Sequence, residues 1–214
     1  PVRISNMVLA YNPEKTKKED LAQTFKEFAE KESFTGKISM SDPLKSGTAL
    51  AAISGLKDKY KDEYFTNLAK RKVAIEAGSV ALTKLETGEM DELMILEESV
   101  LKKRQDDNSS LEVIYPKDGT IVVPSPIMVV DEKLTENKNT KAAEAISKWF
   151  LSEEGQKYIV KGWMHSVLKD FPEVPYDAIK TSEITSNSIN VKWEQLVKDR
   201  DSLRKMFTDT IGKK

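Results

Sequence analysis

The segment SDPLKSGTALAA, residues 41–52, carries the residue types best suited to hold an anion. An apolar stretch ends at Met40, Asp42-Pro43 turns the chain, and a helix is expected to begin at Ser46-Gly47-Thr48. The first N–H groups of a helix have no acceptor within it, and the helix dipole makes that end positive. Gly47 lets a ligand approach the backbone, Ser46 and Thr48 offer hydroxyls, and Lys45 offers charge. The same residues would also serve as an ordinary cap, because Ser and Thr are favoured at any helix start. The Gly-Lys-Ser/Thr ending of a nucleotide phosphate loop is absent.

Two further starts follow the same grammar. Gly78-Ser79 opens a helix after the apolar patch Val73-Ala74-Ile75, again readable as a cap or as a ligand contact. If both starts follow neighbouring strands, they converge on one sheet edge, where open α/β sheets bind ligands. Glu97-Glu98-Ser99 follows a third apolar run. Paired carboxylates can bind a cation or an amine, or perform acid–base chemistry; the plainer reading is a solvated strand end whose charges favour a helix start. His165 is the sole histidine and reads as a surface or loop residue, so neither a His-rich metal site nor a Ser/His/Asp set can be assembled from spacing. We expect no catalytic residue, no metal site and no cofactor.

The elements needed to place these residues alternate in type. Residues 2–12 read as a strand, 17–31 as a helix and 36–40 as a strand. Helices are expected over 46–56, 63–71, 78–86 and 99–105, and strands over 92–96 and 111–115. Residues 120–130 are extended, and Pro124 and Pro126 bar a regular central strand there. The alternation from 2 to 115 predicts an α/β layer around a mainly parallel sheet. From 131 the chain turns helical, with a stripe of Ala142, Ala145, Ile146, Trp149 and Phe150 and a last helix over 191–210 burying Trp193, Leu196, Val197, Leu203, Phe207 and Ile211. That tail has no strands of its own on which to bury Trp149, Phe150 and Trp193.

Composition narrows the classes. With 34 basic and 35 acidic residues among 214, the chain lacks the basic surplus of a nucleic-acid binder. The absence of cysteine removes disulfides, thiolate metal sites and a thiol nucleophile, and says little about compartment. No stretch reaches the roughly 18 apolar residues of a membrane helix. The opening Pro1-Val2-Arg3-Ile4 reads as the middle of a domain, with any export signal expected upstream.

Four segments in order resemble type II periplasmic substrate-binding proteins of ABC importers, in particular the ferric-ion-, phosphonate- and sugar-phosphate-binding kinds. GKISMSDPLKSGTALAA resembles their strand leading to a Ser-Gly-Thr helix start, and AGSVALTKLETGEM their Gly-Ser start before a Gly-Glu turn. VIYPKDGTIVVPSPIMVV resembles their second crossover, and NTKAAEAISKWFLSEEGQKYI the helices that follow. The resemblance implies a type II periplasmic-binding-protein-like α/β fold with one complete lobe over 13–119, crossover strands at 2–12 and 120–130, and in 131–214 the helical C-terminal part of a second lobe. The first half of that lobe is expected to lie outside this sequence. The resemblance further implies an extracytoplasmic solute-binding component, periplasmic or lipid-anchored, that delivers to a membrane permease and is not an enzyme. Ser46, Gly47, Thr48, Gly78, Ser79 and Ser125 match its ligand-facing positions. Glu98 and Ser99 fall where ferric-binding members place a tyrosine pair, which favours a small anion such as a phosphonate or organic phosphate. Ferric-ion or other metal-complex binding, or a ligand-sensing domain of a regulator, are the alternatives. A second copy of the chain is one way to cover the missing half-lobe.

Overall fold

The structure, a computed structural model, describes residues 1–136 and 139–212. Residues 137, 138, 213 and 214 of the expected 131–214 unit lie outside it. β1 (Arg3–Tyr11) is the strand from which the rest is organised. Its alternate side chains Met7, Leu9 and Tyr11 enter one apolar core, while Ala10 enters a second on the other face. β2 (Ile38–Ser41), β3 (Ala74–Glu76), β4 (Glu92–Leu96) and β5 (Glu112–Ile114) complete the order β3-β2-β4-β1-β5, and β6 (Ile121–Ser125) also pairs with β1.

The expected mainly parallel sheet is corrected here. β2 is parallel to β3 and β4, but β1 is antiparallel to β4, β5 and β6. β2 to β6 share one direction; β1 alone enters from the opposite end and wedges between them. The two prolines keep β6 at the margin. Pro124 faces Ile4, whose N–H and C=O are both bonded to His165 on the other side of β1, so the missing proline N–H costs no ladder bond.

Helices cover both faces. The helix expected over 17–31 is shorter: α1 (Phe25–Glu30) starts only where Thr24 Oγ1 accepts the Glu27 N–H at 3.0 Å, after a single 3-10 turn at Lys18–Asp20. α2 (Gly47–Lys70) unites the two expected helices across a break at Lys61, where φ is 63°. α1 and α2 bury Phe25, Phe28, Leu50, Ile53, Leu56 and Phe65 on the Met7–Leu9 face. α3 (Gly78–Thr87), stopped by Gly88 at φ 78°, and α4 (Glu97–Asp107) bury Leu82, Leu85 and Val100 on the other.

The tail divides in two. α5 (Thr140–Phe150) has no buried residue, and its expected stripe faces outward, with Ile146 53% and Trp149 37% exposed. α6 (Glu153–Lys161) joins it at a tight corner. A Cβ on Gly155 would lie 2.1 Å from the Trp149 carbonyl oxygen, so only glycine fits. After α7 (Thr181–Ser186), α8 (Trp193–Ile211) leaves the other tail helices and packs on α2. Ile189, Val191, Leu196, Leu203 and Phe207 join the core of α1 and α2, with Phe207 edge-on to Phe65 at 6.3 Å. The last helix therefore packs with α1 and α2, and Trp193 and Val197 are exposed because the buried face runs through Leu196 and Leu203 instead.

Candidate functional site

Because β3, β2 and β4 are parallel neighbours, their carboxyl ends reach one edge, and α2, α3 and α4 all begin there. Asp42 builds the turn before α2: its carbonyl accepts the N–H groups of Lys45 and Ser46, and its Oδ1 accepts that of Leu44 at 2.9 Å. Ser46 Oγ then accepts the Ala49 N–H at 3.2 Å and lies 3.0 Å from Thr48 Oγ1. Ser46 is thus a true cap. Among the described residues, the N–H groups of Gly47 and Thr48 have no partner. Gly47 is exposed, and nothing stands within 4 Å of where its Cβ would be. Gly78 opens α3 without a side-chain cap, and Ser79 beside it is exposed.

Residues 3–6 of β1 run past the end of β4, since Met7 pairs with Leu96, and Ser125 faces Arg3. Ser46, Gly47, Thr48, Gly78, Ser79, Glu98, Ser99 and Ser125 therefore stand along one sheet edge. They do not form one cluster. Four inter-strand spacings, about 19 Å, separate the end of β3 from Ser125 on β6.

The adjacent carboxylates are not equivalent. Glu98 is half-buried, and its Oε1 accepts the Ser5 hydroxyl at 2.8 Å. Burial pushes its carboxyl above the usual range, the charge of Glu97 adds to this, and the Ser5 bond and Arg3 oppose it. Glu97 is fully buried. Its Oε2 accepts His165 Nε2–H at 2.8 Å and Asn6 Nδ2 at 3.3 Å, and its Oε1 accepts the Tyr115 hydroxyl. Burial and this carboxylate raise the Tyr115 phenol far above its normal value. Thr181 Oγ1 lies 3.0 Å from His165 Nδ1. His165 lies in a loop, as expected, but it is 1% exposed, a correction to its reading as a surface residue: its backbone pairs with Ile4, and that puts the ring inside. Asn6, Tyr115, His165 and Thr181 were not found by motif. The available signal was the polar pair Ser5-Asn6 inside an otherwise apolar strand, which has to find partners when buried.

A cleft of about 750 Å³ lies between 166–172 and 180–185, with Ile4, Leu168 and Phe171 in its wall and Lys169 and Lys180 at its rim. None of the edge residues lines it. No group of three or more metal-ligating side chains occurs among the described residues.

Residues 1–199 match the profile of a family described as bacterial extracellular solute-binding protein. No curated protein matches the sequence. Among solved structures, iron-bound HitA from Pseudomonas aeruginosa aligns with a TM-score of 0.76 and 20% identity, over 96% of this chain and 67% of that one. A periplasmic thiamin binding protein aligns at 0.75 and 16%, over 100% and 66%. AfuA from Actinobacillus pleuropneumoniae, with fructose-6-phosphate bound, aligns at 0.73 and 21%, over 98% and 67%. The chain thus spans about two thirds of the length of these structures.

Proposed function

The chain belongs to the bacterial extracellular solute-binding protein family and has the type II periplasmic-binding fold, and from that premise we propose that it serves an ABC importer as part of the solute-binding component, holding a small oxyanion such as a phosphonate or an organic phosphate. The observation that carries the ligand class is the exposed start of α2, where two N–H groups lack acceptors beside two further helix starts. Three dipoles aimed at one edge favour negative charge there. The wall supplied by this chain is Ser46, Gly47, Thr48, Gly78 and Ser79, with Glu98, Ser99 and Ser125 at its flank. Binding of this kind needs no catalytic group. The site of action is outside the cytoplasmic membrane, and the protein partner is the importer's permease.

Titration calorimetry with inorganic phosphate, 2-aminoethylphosphonate and glycerol phosphate tests this. Ser46→Ala with Thr48→Ala is expected to weaken binding on the order of tenfold, the effect of losing one or two hydrogen bonds to a charged group. Unchanged affinity in a folded double variant removes the assignment. A second reading, a ferric complex, is favoured by the likeness to iron-bound HitA and by the carboxylate of Glu98 at the edge. Ferric citrate in the same panel separates the two, because metal binding through Glu98 would be lost in Glu98→Gln and kept in the double variant.

A further inference from the structure

The open edge does not use Glu97, yet Glu97 gathers more of the fold than any residue beside it. Its three donors come from three distant stretches: Asn6 from β1, Tyr115 from the end of β5, and His165 from beyond α6. The same partners hold the chain between α6 and α7. His165 and Ile4 exchange both backbone hydrogen bonds, at 3.0 and 2.9 Å. His165 Nδ1 meets Thr181 Oγ1, and the Tyr115 hydroxyl accepts the Ile179 N–H at 3.3 Å. Residues 162–180, which contain no helix or strand, are thereby tied near both ends to one buried carboxylate.

We propose that Glu97 is a positioning residue: it locks the 162–181 segment onto β1 and, as the first residue of α4, fixes the turn that presents Glu98 and Ser99. The second half of this role rests on the reading of the edge as a solute contact; the lock itself does not. Removing the carboxylate would take the acceptor from three donors at once, two of them, Asn6 and His165, fully buried, and buried donors without acceptors open the structure locally to reach water. Gln156 supports the segment independently. Its Oε1 accepts the Ser166 hydroxyl and the Val167 N–H at 2.8 and 2.9 Å, so loss of Glu97 loosens the segment without freeing it from the fold.

Amide hydrogen exchange on the 214-residue chain tests the lock. In Glu97→Ala, amides of 162–181 and of the first turn of α4 are expected to exchange on the order of tenfold faster or more, while β2, β3 and α8 stay within about twofold. His165→Ala should reproduce the effect in 162–181, and His165→Gln, whose amide N–H still reaches toward Glu97, should restore much of it. A uniform rise over the whole chain, or an unchanged 162–181 segment, overturns the proposal. If Glu97→Ala does not fold, His165→Ala decides alone, because Glu97 then keeps two donors. Adding inorganic phosphate or 2-aminoethylphosphonate to the wild type should slow exchange in the first turn of α4. No slowing there overturns the solute contact and the positioning role that depends on it, while the first arm still reports the lock.

Discussion

Glu92 shows how one buried side chain sets a pH response. It is fully buried at the start of β4, its Oε2 accepts the Ala22 N–H at 3.0 Å, and its Oε1 has no partner. Burial pushes its carboxyl up from 4.5 to about 8. Between these values the unfolded chain releases the proton while the folded chain keeps it, so stability falls as pH rises from about 4.5 toward 8. Glu92→Gln carries the cost of an unpartnered amide at either pH, but relative to the wild type it should gain roughly 4 kcal/mol of stability between pH 4 and pH 8. Urea melts at the two pH values check this; an equal effect at both contradicts it. At this scale the sequence was half legible. The cap at Ser46 could be placed from spacing, because it depends on its own helix; the partial burial of Glu98 could not, because its partner Ser5 lies 93 residues away. Glu97 and His165 could not, because their roles come from partners 18 to 91 residues away.

Elements were readable where the local signal was strong. Gly88 ends α3 as a left-handed cap, and the Asp42 turn leads into α2. The Ser152-Glu153-Glu154-Gly155-Gln156 run gains a physical meaning in the fold. Ser152 Oγ accepts the Gly155 N–H at 3.1 Å, Gly155 lets α6 touch the end of α5, and Gln156 Nε2 donates to the carbonyls of Val2 and Phe150 at 2.8 and 2.6 Å. Gly155→Ala would place a methyl against the backbone of Trp149 and Phe150, forcing the corner open at a cost of about 2–3 kcal/mol. A lower melting temperature with faster exchange confined to 149–158 is expected; a neutral variant would contradict the close approach. The direction of β1 and the docking of α8 were not readable, because periodicity states which face is apolar but not what that face meets.

The whole molecule is unevenly covered. The sheet carries helices on both faces, whereas Met128 and Leu134 are each 80% exposed and Ile146, Trp149 and Tyr158 are exposed on α5 and α6. The isolated chain should bind the dye ANS and scatter light with increasing concentration, and Ile146→Lys with Trp149→Lys should reduce both. Equal dye binding in the double variant would place the exposed surface elsewhere. Composition could not reveal this imbalance, since it counts apolar residues without saying which remain uncovered.

The reversed strand β1 also governs the order of assembly. It leaves the ribosome first of the strands described, but its partners come much later: Leu9 pairs with Met94, 85 residues on, and Arg3 with Ser125. At about 5–20 residues per second, β1 waits roughly 4–17 s for β4 alone. Through that interval Met7 to Tyr11 is an apolar strand with both edges open. The sheet therefore cannot close before β6 has been made, and it is the middle of the chain, not its start, that decides when β1 is covered.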